Sequence, residues 1–186
     1  MIKFDCPLKT LMFKKAFLSL TLPLLCAVVS MSFGTIKQSA DSWYEETKAE
    51  ILKQAALKSD SIGFLFNSDS SKKKEMHFFK GHMFLAKFYK KGAPTSESYF
   101  SKDGNFELRR LFCENAIVSF EGIAYKTSLF GPFTEYYCSG KIKLQGFRFQ
   151  SEGIATWKTF NESGVLVDES NLKNHSLLNS LPQIVK

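Results

Sequence analysis

A short phrase recurs through the C-terminal half of this 186-residue chain. Two bulky or aromatic residues precede a polar turn and a glycine, and a new extended run follows. It reads Tyr99-Phe100-Ser101-Lys102-Asp103-Gly104, then Tyr136-Tyr137-Cys138-Ser139-Gly140, then Thr159-Phe160-Asn161-Glu162-Ser163-Gly164. Recurrence on this scale marks supersecondary units laid side by side, each burying its apolar face only against a neighbour. Repeated hairpins of this kind build a surface rather than an enclosed reaction centre. The phrase therefore predicts architecture and leaves the ligand open.

The rest of the C-terminal half agrees. Extended runs are expected near 96–101, 105–113, 116–121, 123–127, 133–138, 141–149, 153–160 and 165–168, with turns at 102–105, Glu114-Asn115, Glu121-Gly122, Gly131-Pro132, Ser139-Gly140, 151–153 and 162–164. Connections this short cannot carry parallel crossovers, which need a dozen or more residues. The predicted fold class is mainly β, an antiparallel meander of repeated hairpins over 61–168. An aromatic content of 15% suits a pleated surface, on which flat rings pack well. Upstream, 62–66 reads as a strand, 67–74 as a polar loop, and 76–89 as an aromatic stretch bent at Gly81. Lys91 to Pro94 reads as a turn. Residues 169–186 read as a polar tail or a short packed segment.

One amphipathic helix precedes the strands. Residues 42–59 contain no Gly or Pro, and Ser42 and Glu45 have capping-box spacing. Tyr44, Ile51, Leu52, Ala55 and Ala56 form an apolar stripe, while the polar face mixes Lys48, Lys53 and Lys58 with Glu46 and Glu50. A face of mixed sign suits covering a sheet better than lying on a membrane.

The first 34 residues differ in kind. Lys14 and Lys15 precede an apolar run from Ala16 to Val29, and the small residues Ser30, Ser32 and Gly34 follow. That order is the layout of a secretory signal peptide. The run is short for a bilayer span of roughly 20 residues, and Pro23 interrupts it. Cleavage is expected after Gly34 or after Ser32, with an uncleaved anchor as the alternative and Met12 as an alternative start. Leu25 stands before Cys26 where a lipidation box takes a small residue, which argues against a lipoprotein. Residues 35–40 read as a linker. Of 25 basic and 18 acidic residues, four and one lie in 1–34, which leaves a net charge of +4. That is mildly basic, and with export it argues against a nucleic-acid partner.

Cys6 and Cys26 fall within the signal segment. Cys113 and Cys138 remain, a candidate disulfide in an oxidising compartment or else two buried thiols. His77 and His82 sit five apart, on opposite faces of a regular strand, which disfavours a shared metal. Cys138 could pair with His175 as nucleophile and base, and nothing local supports it. No catalytic or nucleotide-binding motif is present, so a non-enzymatic protein without a cofactor is expected. Lys72, Lys73 and Lys74 could contact an anionic surface or simply face solvent from a loop. The aromatics of 76–89 could line a groove or fill a core.

Between residues 122 and 168 the pattern becomes specific. Gly122 and Tyr125, Gly131 and Phe133, then Tyr136, Tyr137, Gly140 and Lys141, then Gly146 and Phe149, then Gly153, Trp157, Phe160 and Gly164 follow in order. This stretch resembles MORN-type repeats, and most closely the bacterial toxin–antitoxin-associated (YwqK-type) antitoxin family. The resemblance implies hairpins recurring about every two dozen residues and a partner-binding role such as that of an antitoxin. Gly140 and Gly164 are 24 apart, whereas Gly104 and Gly140 are 36 apart, so the earlier unit reads as stretched or degenerate. Segments 62–121 fall outside the pattern. The expected function is an exported β-repeat module that binds a protein or an envelope component. The alternatives are a periplasmic carrier of an apolar ligand such as lipid, with the helix as a plug, and an antitoxin-like partner binder.

Overall fold

The computed structural model of the protein describes residues 39–185. The predicted signal segment, 1–34, and most of the linker lie outside the described residues. A helix, α1 (Ala40–Ala55), comes first. Ten strands follow: β1 (Ser61–Phe66), β2 (Lys72–Phe79), β3 (His82–Lys90), β4 (Ala93–Phe100), β5 (Phe106–Phe112), β6 (Val118–Tyr125), β7 (Ser128–Tyr136), β8 (Ile142–Phe149), β9 (Glu152–Phe160) and β10 (Leu166–Asn171). They form a single antiparallel sheet in which every strand pairs with its sequence neighbours, in the order β1 to β10. A short 3-10 helix (His175–Ser180) closes the described chain.

The turns fall into two rows, one at each end of the strands. The top row holds 67–71, 91–92, 113–117, 137–141 and 161–165; the bottom row holds 80–81, 101–105, 126–127 and 150–151. In the top row, Gly92, Ala116, Gly140 and Gly164 all have positive φ and lie 24 residues apart. The repeat is thus a 24-residue hairpin, regular from β3 onward rather than degenerate before 122. Gly104 breaks the count because its turn belongs to the bottom row, half a repeat out of phase. The turn expected at Glu114-Asn115 is present, but Ala116 (φ 61°) stands where the other top turns have glycine, which conceals the period.

Several sequence expectations are corrected. Gly81 is not a bend within one strand. It makes a two-residue turn with Lys80, both at positive φ, which suits the twist of a tight hairpin. Glu121-Gly122 is no turn, since β6 runs straight through it and the chain reverses at Lys126-Thr127 instead. Gly131-Pro132 lies inside β7, where the register with β6 shifts. Lys72, Lys73 and Lys74 belong to β2 rather than to a loop.

Helix α1 begins earlier than the Ser42 spacing predicts. Ser39 is the N-cap, its side chain accepting from the Ser42 backbone N–H at 3.1 Å. The buried stripe is Trp43, Thr47 and Ile51, four residues apart and so on one helical face. Tyr44 and Leu52 flank it. The stripe packs on Phe106, Leu108, Ile123 and Phe130, and this cluster is the core. An aromatic chain continues beneath it, with Phe106–Tyr125 centroids at 4.9 Å and Phe130–Phe149 at 5.0 Å. The C-terminal segment is part of this core: Leu181 is buried, and the Pro182 carbonyl accepts from Trp43 Nε1 at 2.6 Å.

Candidate interaction edge

Alternation gives the sheet a helix-bearing face and an open face. On the helix face one row of directly opposed residues crosses all ten strands: Phe64, Glu75, Lys87, Glu97, Arg110, Glu121, Thr134, Gln145, Lys158 and Glu169. Charge alternates in sign from Glu75 to Glu121 and again at Lys158 and Glu169. Opposite charges facing each other across strands stabilise by roughly 0.2–1 kcal/mol per pair, and like charges destabilise. The row therefore helps fix the register. It begins at one edge strand and ends at the other.

Glu121 anchors the helix to this row. Its Oε1 accepts from Tyr44 Oη at 2.8 Å and from Lys48 Nζ at 2.6 Å, and its Oε2 accepts from Arg110 Nε at 2.7 Å. Burial pushes the Glu121 carboxyl up, but the three donors outweigh it and hold its pKa below the ordinary value of 4.5. Burial, with the Glu121 charge beside it, raises the Tyr44 phenol well above its usual range. A carboxylate depressed in the fold contributes stability above its unfolded pKa, and that contribution fades as pH falls through the folded value. Glu121→Gln is thus expected to lose about 2 kcal/mol at pH 7, the scale of a hydrogen bond to a charged group. The deficit should shrink below pH 4.5, as chemical denaturation across pH can check.

A second polar knot lies on β2. Ser59 Oγ sits 2.9 Å from His77 Nδ1, and His77 Nε2 sits 2.7 Å from Glu75 Oε1. A hydroxyl, an imidazole and a carboxylate in line have the order of a nucleophilic relay. Here the Lys72 ammonium donates to Glu75 at 2.8 Å and the Tyr89 hydroxyl at 3.2 Å. Lys72 first, then His77 and Tyr89, pull the Glu75 carboxyl down to about 2. Its charge is already compensated, and the line serves to tie the segment after α1 to β2. Sequence inspection misses this knot because Ser59 and His77 are 18 residues apart and carry no motif.

The two edges of the sheet are unlike. β1 has no charged residue and no proline, and Ile62, Phe64, Leu65 and Phe66 are 49, 44, 50 and 59% exposed. Natural edge strands are usually blunted by charge, proline or bulges because their free N–H and C=O groups accept another strand. The bulge in the β1–β2 pairing falls on β2, at Lys73, and β1 itself has none of the charges. β10 exposes Leu166 and Val167 but also carries Asp168 and Glu169. Among the described residues no strand pairs with the outer side of either.

The predicted site residues are distributed as follows. Cys113 and Cys138 form a disulfide, with Cα atoms 5.7 Å apart, between neighbouring turns of the top row. Cys138 is therefore not a free nucleophile, and His175 is exposed in the 3-10 helix. His77 is in the knot above, whereas His82 lines a cavity beyond the end of α1. Among the described residues no cluster of His, Cys, Asp and Glu is arranged to hold a metal ion, and no helix is long and apolar enough to cross a membrane.

Lys72, Lys73 and Lys74 do not form one patch. Lys72 lies over the Phe64 and Tyr89 rings on the helix face, Lys74 lies over Phe88 on the open face, and Lys73 is exposed at the bulge. Of the repeat signature, Gly104, Gly140 and Gly164 sit at turns. Tyr137 Oη donates to the Phe160 carbonyl at 2.8 Å, linking successive repeats. Gly122 and Gly153 leave room for rings on the open face, where Phe133 meets Trp157 at 5.1 Å and Arg148 stacks over both. Tyr99 and Tyr125 pack against the core beneath α1. Tyr136 ends β7 and Phe100 ends β4.

Fold and edge together define an open antiparallel hairpin-repeat sheet with one helix laid across it. No protein-family model, curated protein or solved structure matches the chain.

Proposed function

We propose that the chain is an exported, non-enzymatic β-repeat protein that binds another polypeptide, an envelope component included, by accepting a strand at β1. The observation that carries this reading is the uncharged, apolar outer edge of β1. Strand addition gives affinity through main-chain hydrogen bonds and specificity through alternate side chains. Phe64 and Phe66 on one face and Leu65 on the other would supply that specificity. The signal-like order of residues 1–34 supports export, and so does the Cys113–Cys138 disulfide, since such bonds persist in oxidising compartments. The 24-residue hairpin period supports keeping the resemblance to MORN-type repeats as the family reading.

Site-specific photocrosslinking in intact cells tests it. A crosslinker at Phe64 is expected to trap a polypeptide, and Leu65→Lys with Phe66→Lys should abolish the adduct. Trapping that persists with both lysines in place would overturn the proposal.

One observation favours a second reading, a carrier of an apolar ligand. A cavity of about 430 Å³ opens between the end of α1 and the bottom turns, with Leu57, Phe79, Met83 and Phe84 in its wall. Native mass spectrometry of the protein from its own envelope should show bound lipid if this reading holds, and an apo mass if it does not.

A further inference from the structure

We infer that the strand accepted at β1 is β10 of a second copy of this chain, so that copies join head to tail into one continuous sheet. This rests on the reading of β1 as a strand-accepting edge.

Direction comes first. Every strand is antiparallel to its neighbours, so β1 runs the same way as β9 and opposite to β10. A copy placed beyond β10 by simple repetition along the sheet therefore presents β1 antiparallel to β10. No inversion is needed, and both rows of turns continue.

Register comes second. The charge row runs from Phe64 in β1 to Glu169 in β10. Continuing it by one strand sets Glu169 opposite Phe64 of the next copy. Asp168 then faces Leu65 and Asn171 faces Ile62 of that copy, while Val167, the extra residue of the bulge in the β9–β10 pairing, lies beside Phe66. The apolar start of β10 meets the apolar end of β1, and the polar end of β10, Ser170 and Asn171, meets Gly63 and Ile62.

Charge complementarity comes third, and it holds on both faces. On the helix face, Lys72 Nζ lies 5.1 Å from the centre of the Phe64 ring, beside the place that Glu169 would take. Lys72 stands outside the row, opposite Phe66, and is ion-paired with Glu75 at 2.8 Å, so it would be shared between Glu75 and the incoming Glu169. On the open face Lys74 is the partner of Leu65, and Asp168 would come in on the other side of that leucine. Joining β10 to β10 would oppose two acidic pairs, whereas β1 has no charge of its own and its nearest lysines, Lys72 and Lys74, lie one strand back on β2. Like charges set against each other suppress wrong partners. The acidic pair thus disfavours joining β10 to itself, and the lysines behind β1 favour β10 there over a second β1. A heterologous contact of this kind gives open chains of copies, or rings where the rotation closes.

Sedimentation velocity of the purified full chain tests the inference with a charge swap. The wild type should show a sedimentation coefficient that rises with concentration. D168K/E169K, with both edges basic, and K72E/K74E, with both edges acidic, should each remain monomeric with unchanged circular dichroism. An equimolar mixture of the two should recover the association. Should K72E/K74E fail to fold because Glu75 loses its partner, D168K mixed with K74E tests the open-face contact alone. A wild type that is monomeric at every concentration would overturn the inference, as would association of D168K/E169K equal to the wild type. A monomeric wild type whose Phe64 crosslink still traps a different protein in cells would leave the edge reading standing. Loss of that crosslink as well would remove both.

Discussion

Gly131→Ala is expected to destabilise the protein by about 4 kcal/mol, more than an ordinary surface substitution by an order of magnitude. Two independent costs add. Gly131 has a φ of +72°, a conformation that costs a residue with a Cβ roughly 1–2 kcal/mol. A methyl there would also overlap Trp43 Cζ3 and lie 2.8 Å from Cε3. The indole cannot yield freely, because it is buried and its Nε1 is held by the Pro182 carbonyl. Overpacking of this kind costs typically 1–3 kcal/mol. Gly140→Ala separates the two terms. Its φ of +84° is similar, but its nearest neighbour is Ile117 Cγ2 at 3.8 Å. It should lose only the backbone part, about 1 kcal/mol. Equal losses at the two positions in urea denaturation would contradict the placement of Trp43 against β7.

The second large effect concerns the disulfide. Cys113 and Cys138 are 25 residues apart and staple one top turn to the next, a single repeat further along. Closing a loop of that length restricts the unfolded chain by about 3.5 kcal/mol in the chain-entropy account. Replacing both cysteines by serine should lower stability by that amount. Dithiothreitol should lower the wild type equally and leave the double variant unmoved. If both thiols of the protein drawn from its own cells alkylate without reductant, the bond and the oxidising compartment are contradicted together.

The antiparallel hairpin class was legible because glycine and asparagine mark turns and the intervening runs are short. The phase of the repeat was not. Gly104 and Gly140 look alike in sequence yet belong to opposite rows of turns, and Ala116 occupies a left-handed position that sequence reading assigns to glycine. Gly122 and Gly131 were misread for a related reason. A glycine required for close approach of a ring, Phe120 at the one and Trp43 at the other, cannot be told locally from a glycine required for a turn. The helix was found, but Trp43, its central contact, escaped the stripe because its partners lie on strands 60 or more residues later. The candidate site was least legible. The lysine run was visible, but its division between two faces depends on the bulge in the β1–β2 pairing. The exposure of β1 depends on its being first in the sheet.

The central claim is that the outer edge of β1 accepts an extended strand, and the most direct measurement maps crosslinks from Phe64, Leu65 and Phe66 onto the trapped polypeptide. The account predicts that Phe64 and Phe66 reach alternate residues of one short segment and Leu65 the residue between them, because neighbouring positions on a strand point to opposite faces. Crosslinks scattered over unrelated segments, or confined to lipid, would contradict it.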